Sequence, residues 1–222
     1  MKKKTLLFAC FATCFCSFAA AQAGAKSGTT DLSQLKPSAF VMPVFSEIVL
    51  VPYPDGFEAA YEHAQGANYI HEMVPKGETV DRWSQMFTTT GKQGLSSMAN
   101  LTPEILLARF ADGFKRACPE TFSARGIGPA KISGHDAFVA WASCGTVNTA
   151  GYAHSESTLF LAIKGTQDYY TMQWAERGPA SSQPLVYDDA KWGDRLKKLT
   201  AVRTCHRVPG EPAPYPSCVD KK

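Results

Sequence analysis

Along this chain, stretches in which apolar and polar positions alternate give way twice to stretches in which apolar residues recur every three or four positions. The alternating stretches predict strands and the others predict helices. Residues 40–51, from Phe40 to Val51, read as one or two extended pieces, with Pro43 marking an edge or a break, and residues 52–56 turn the chain at Asp55-Gly56. Residues 57–63 and 67–74 surround Gln65-Gly66 and predict a hairpin. On its second strand Tyr69, His71 and Met73 share one face, and Asn68, Ile70 and Glu72 the other. A strand over residues 83–90 follows, completing a meander of about four strands.

The first helix is expected after Leu101. Thr102 can cap it, Pro103 suits its first position, Leu106, Phe110, Phe114 and Ala117 repeat on one face, and Pro119 stops it. Residues 136–144 are apolar on both faces and predict a central strand. Residues 157–163 and 169–175 flank a turn and give the clearest hairpin. Leu159, Leu161 and Ile163 face one way on its first strand, and Tyr170, Met172 and Trp174 share a face on its second. A second helix capped by Asp188 or Asp189 would present Trp192, Leu196 and Leu199. The expected fold class is α+β, an antiparallel sheet covered by two main helices.

Composition changes the picture at the two ends. Lys2 to Lys4, the apolar run from Thr5 to Ala21 and the small residues Ala21 and Ala23 have the layout of a secretory signal peptide over residues 1–23. A membrane anchor would require a longer run, and a lipoprotein site at Cys10 would leave few apolar residues before the cysteine. Residues 24–38 are small and polar and read as a flexible lead-in, and residues 39–200 read as one domain. Loss of residues 1–23 takes three of the 23 basic residues and none of the 20 acidic ones, so the formal charge of +3 falls near zero. General attraction to nucleic acid or an anionic membrane therefore does not follow. No integral span is expected after cleavage, and the expected location is the periplasm or the exterior.

Four of the seven cysteines then remain, Cys118, Cys144, Cys205 and Cys218. An even number in an oxidising compartment predicts two disulfides, with three pairings open. Cys118 with Cys144 and Cys205 with Cys218 is favoured, because the second pair lies within a Pro-rich tail, residues 201–222, that has few other means of fixing itself. The prolines bar helix and central strand there, so the tail is expected to be a stapled flap. The cysteine spacings match no zinc site.

The element order, with residues 78–83 from Glu78 to Trp83 leading into a strand and residues 101–104 from Leu101 to Glu104 leading into the helix, resembles the Mog1/PsbP-like α/β/α sandwiches, including exported bacterial proteins of unassigned role. The resemblance covers roughly Val41 to Leu199. That superfamily also includes photosynthetic accessory proteins and a nuclear-transport regulator, so it implies a fold and no shared catalytic residues.

A nucleophile elbow, a zincin motif, a Walker loop and a dinucleotide fingerprint are all missing from the sequence, and Gly126-Ile-Gly128 reads as a turn. The best polar constellation is His154 and Glu156, which share one side of a strand, together with His135; a histidine base oriented by a carboxylate is the chemistry they would support. Glu62, His63, His71 and Glu72 form a similar group whose ordinary role is decoration of an exposed sheet face. Arg177 could fix an anion or close a strand end by pairing with a glutamate. Tyr152, Tyr169, Tyr170 and Trp174 could line a groove or pack the core. No metal site and no cofactor are expected. The leading function is a noncatalytic protein that binds an envelope protein partner. A small-molecule or cell-wall-fragment binder is the alternative, followed by a hydrolase with a His-Glu site.

Overall fold

The structure is a computed structural model, which describes residues 39–149 and 151–219. The expected signal peptide and lead-in lie outside the described residues. Strands β1 (Ala39–Val44) and β2 (Glu47–Pro52) form a hairpin, and β3 (Phe57–Gln65), β4 (Asn68–Pro75) and β5 (Gln85–Lys92) follow as a meander. Helix α1 (Pro103–Ala117) comes next, then the long strands β6 (Phe122–Ile132), β7 (His135–Thr149), β8 (Tyr152–Lys164) and β9 (Tyr169–Gly178). Helix α2 (Asp189–Thr200), strand β10 (Arg203–His206) and the short helix α3 (Pro216–Val219) close the described chain.

Two antiparallel sheets result. The large one has the order β3-β4-β5-β9-β8-β7-β6, and the small one β1-β2-β10. The fold class is therefore mixed α and β with antiparallel sheets, as the alternation of patterns predicts. The first hairpin, however, forms a sheet of its own and does not join the meander. Pro43 is tolerated because β1 is the outer strand of that sheet. In β2, Val49 and Val51 enter the main core while Ile48 and Leu50 enter a separate cluster with Cys218. A strand buried on both faces requires cover on both sides, which is why this hairpin lies across the large sheet. The approach is close, since a Cβ on Gly91 of β5 would come within 2.5 Å of Val44 Cγ1.

The main core lies between the large sheet, the small sheet and α2. Leu159 pairs with Trp174, Leu161 with Met172 and Ile163 with Tyr170, the register the hairpin pattern predicts. Their side chains meet Val49, Val51, Trp192 and Leu199. The opposite face of β8 presents Phe160 and Ala162 to Leu106 and Leu107 of α1. Thr102 caps α1 by accepting from the Ile105 amide at 3.2 Å, and Asp188 caps α2 by accepting from the Ala190 and Lys191 amides. No described helix is long and apolar enough to cross a membrane.

Three sequence readings are corrected. Gly126-Ile127-Gly128 is a β-bulge in β6, where the register shifts, and not a turn. Pro129 fits because β6 is the other edge of the large sheet. The strand expected to begin at Trp83 begins at Gln85, because Glu78 accepts from the Ser84 amide and hydroxyl and holds residues 78–84 in a turn. The tail is more than a flap: β10 pairs with β2, with Thr204 opposite Val49, before the prolines begin. Both favoured disulfides are formed, with Cα–Cα distances of 5.7 Å for Cys118–Cys144 and 5.8 Å for Cys205–Cys218.

Candidate functional site

Alternation along β8 places His154, Glu156, Thr158 and Phe160 on the α1 face of the large sheet. The β8–β9 register sets Arg177 opposite Glu156 and Gln173 opposite Phe160. Arg177 Nε donates to Glu156 Oε2 at 3.2 Å, and its guanidinium lies 3.7 Å from the centre of the Trp83 ring. The turn that delays β5 therefore has a consequence at the site, since it places Trp83 under Arg177. The pair is largely shielded, with side-chain exposures of 13% for Arg177 and 24% for Glu156. Arg177 Nη1 is buried and has no hydrogen-bond partner among the described residues.

His154 Nε2 lies 3.8 Å from Glu156 Oε2, too far for a hydrogen bond, while its Nδ1 is 3.1 Å from the Tyr152 carbonyl. The Tyr152 ring packs 4.6 Å from the imidazole and is 47% exposed. His135 does not join them. It starts β7, where Asp136 pairs with Lys164, whereas His154 pairs with Val147 near the other end of the same two strands. Its Nε2 lies 3.6 Å from Oε1 of the fully buried Glu47, which accepts from the Thr166 amide at 2.8 Å.

The aromatic candidates separate by face. Tyr170 and Trp174 point into the main core, where Tyr170 donates to the Val44 carbonyl at 3.1 Å and Trp174 Nε1 donates to Gln85 Oε1 at 3.0 Å. Burial pushes the Tyr170 hydroxyl well above its usual pKa. Tyr169 is buried on the α1 side and donates to the Leu101 carbonyl at 2.6 Å. Of the aromatics read from the sequence as groove residues, Tyr152 stays exposed, packed on His154.

His71 corrects the reading of the β3–β4 hairpin. The small sheet lies over its face, so His71 is only 4% exposed, and its ring is 5.2 Å from Phe40. Burial lowers its pKa, with the Glu62 carboxylate pulling it back up. Glu62 accepts instead from the Tyr69 hydroxyl at 2.8 Å, while His63 stays exposed beside Tyr61. Burial holds the Glu72 carboxyl above its usual pKa. Among the described residues no group of three or more His, Cys, Asp or Glu could hold a metal ion.

A groove of about 460 Å³ runs between α1 and the sheet and reaches Glu156. Helix α1 supplies Arg109, Phe110, Gly113, Phe114 and Ala117, and the strands supply Cys144, Val147, Glu156, Phe160 and Gln173. Phe110 and Phe114 each meet Phe160 edge to face at 5.8 Å. Their packing on the sheet follows from helical spacing, but the groove beside them does not. Gly113 leaves its α1 wall open, since a Cβ there would meet only Arg116 Nη2, at 4.0 Å. A glycine inside an otherwise good helix was the available signal. The Cys118–Cys144 disulfide fastens the end of α1 to β7 and so sets the width of this end of the groove. Such an arrangement can hold an apolar body and orient it through a few polar groups.

No protein-family model matches the chain, and no curated protein matches it in sequence. Solved structures match at low identity. The cyanobacterial PsbP of Synechocystis is 9% identical, with 78% of this chain and 96% of that one covered at a TM-score of 0.46. The Ran-binding protein Mog1p of Saccharomyces cerevisiae is also 9% identical, with 76% and 95% covered and a TM-score of 0.42. LpqN of Mycobacterium tuberculosis, involved in cell envelope biogenesis, is 11% identical, with 72% and 84% covered and a TM-score of 0.36. The chain is similar to these solved structures at low identity.

Proposed function

We propose that this protein is a noncatalytic binding protein that works outside the cytoplasm and takes an apolar small molecule into the groove beside α1. The observation that carries the reading is the groove itself, about 460 Å³ in volume and walled by Phe110, Phe114, Phe160 and Val147. This size and lining are those of small-molecule sites, which combine apolar walls with a few placed polar groups. The two disulfides support an oxidising location. The separation of His135 from His154, and the commitment of Glu156 to Arg177, count against a His-Glu hydrolase.

An envelope protein partner is the second reading, favoured by β3. This strand is an edge of the large sheet, and all its residues after Phe57 are exposed, so its free backbone groups are open to an added strand.

Native mass spectrometry of the oxidised protein, purified from its own envelope without detergent, tests the choice. The first reading predicts a small-molecule adduct that organic extraction removes. A bare protein that also fails to bind any apolar probe, but retains a stoichiometric protein partner, would reverse the order of the two.

A further inference from the structure

We infer that the groove takes a single-chain amphiphile with an anionic head, a long-chain carboxylate, and that Arg109 receives the head. The inference rests on the groove being the binding site. Glu156 is the acidic residue on the groove wall, and Arg177 already neutralises it at 3.2 Å while lying over Trp83. Gln173 is neutral. The remaining formal charge on the wall is Arg109, which stands on an exposed turn of α1 and has no carboxylate within ion-pair distance among the described residues.

A guanidinium offers a planar fork of donors that matches a carboxylate in two parallel hydrogen bonds. Beside it the wall turns apolar, with Phe110 on the next position of α1 and Phe160 beneath. A ligand that meets both must join an anion to a hydrocarbon body. The apolar run from Thr5 to Ala21 in the same chain contains no acidic residue, so it lacks the charge that Arg109 would meet.

Calorimetric titration of the oxidised protein with three probes sharing one alkyl tail separates the possibilities: dodecanoate, dodecyl maltoside and dodecyltrimethylammonium, each kept below micelle formation. Dodecanoate is expected to bind most tightly, and R109Q is expected to weaken it about tenfold while leaving the maltoside unchanged. Arg109 is exposed, so R109Q should melt like the parent, and R109K should recover part of the loss. If the maltoside binds as well as dodecanoate and R109Q alters neither, the anion inference fails and the groove reading stands. Preference for the ammonium probe overturns the inference in the same way. If none of the three binds, the groove reading falls as well.

Discussion

Ser46 and Asp168, 122 positions apart, are joined by two hydrogen bonds: the Ser46 amide at 3.0 Å and its hydroxyl at 2.5 Å both donate to Asp168 Oδ2. The Gly94 amide donates to the other carboxylate oxygen at 2.7 Å. The turn of the small sheet, the turn between β8 and β9 and the loop leading toward α1 therefore converge on one buried anion. A buried carboxylate is tolerated where several donors replace its water, and here they come from Ser46 and Gly94, two separate parts of the chain.

Replacing this anion should cost more than a surface change. Asp168→Asn retains the shape but not the charge, and directs an amide donor at groups that are donors themselves. We expect a loss of about 3 kcal/mol in urea unfolding. Burial pushes the Asp168 carboxyl upward, but the bonds from Ser46 and Gly94 outweigh it and hold the pKa below the usual carboxylate value. Its contribution should thus be complete above the unfolded-state value near about 4 and disappear as pH falls through the folded value. The stability gap between parent and D168N should narrow on acidification. A gap that widens would contradict this assignment.

Removal of the Cys118–Cys144 disulfide in a Cys118→Ala, Cys144→Ala variant should lower stability by about 3 kcal/mol, the scale expected for a loop of 26 residues. It should also weaken apolar-ligand binding, because the end of α1 loses its tie to β7. The corresponding change at Cys205 and Cys218 should loosen β10 and the Ile48–Leu50 cluster while leaving groove binding unchanged. Hydrogen exchange read at α1 and β10 separates the two outcomes.

Arg177→Lys keeps the charge but loses the flat fork and the face-on contact with Trp83. A cost of about 1–2 kcal/mol is expected, with a drop in the tryptophan fluorescence change that accompanies unfolding. Because Arg177 serves Glu156 and Trp83, its replacement should alter stability more than ligand affinity. The opposite result would make Arg177 the head-group residue in place of Arg109.

Most of the fold was legible from local pattern. Thr102-Pro103 marks the start of α1, Asp188 that of α2, and the Leu159–Ile163 and Tyr170–Trp174 faces pair as alternation predicts. Strand β6 was not legible, because Gly126, Gly128 and Pro129 are poor strand formers whose use is permitted only at a sheet edge. The burial of His71 was hidden for a different reason: it depends on a second sheet crossing the first, which no local window reports. At the site, the shared face of His154 and Glu156 could be read from spacing, whereas the choice of Glu156 as the partner of Arg177 is set by the β8–β9 register. The groove could not, since it is a space between α1 and strands distant from it in sequence.

Gly113 also gives the most direct test of the central claim. Gly113→Ala should raise stability by up to about 1 kcal/mol, since glycine is a poor helix residue and the added methyl meets open space. Gly113→Trp instead fills the groove from the same position. Titration of an environment-sensitive apolar dye into parent and G113W, both shown to be folded and oxidised, is the measurement. The account predicts one saturable site in the parent and its loss in G113W; equal binding by the two proteins would contradict it.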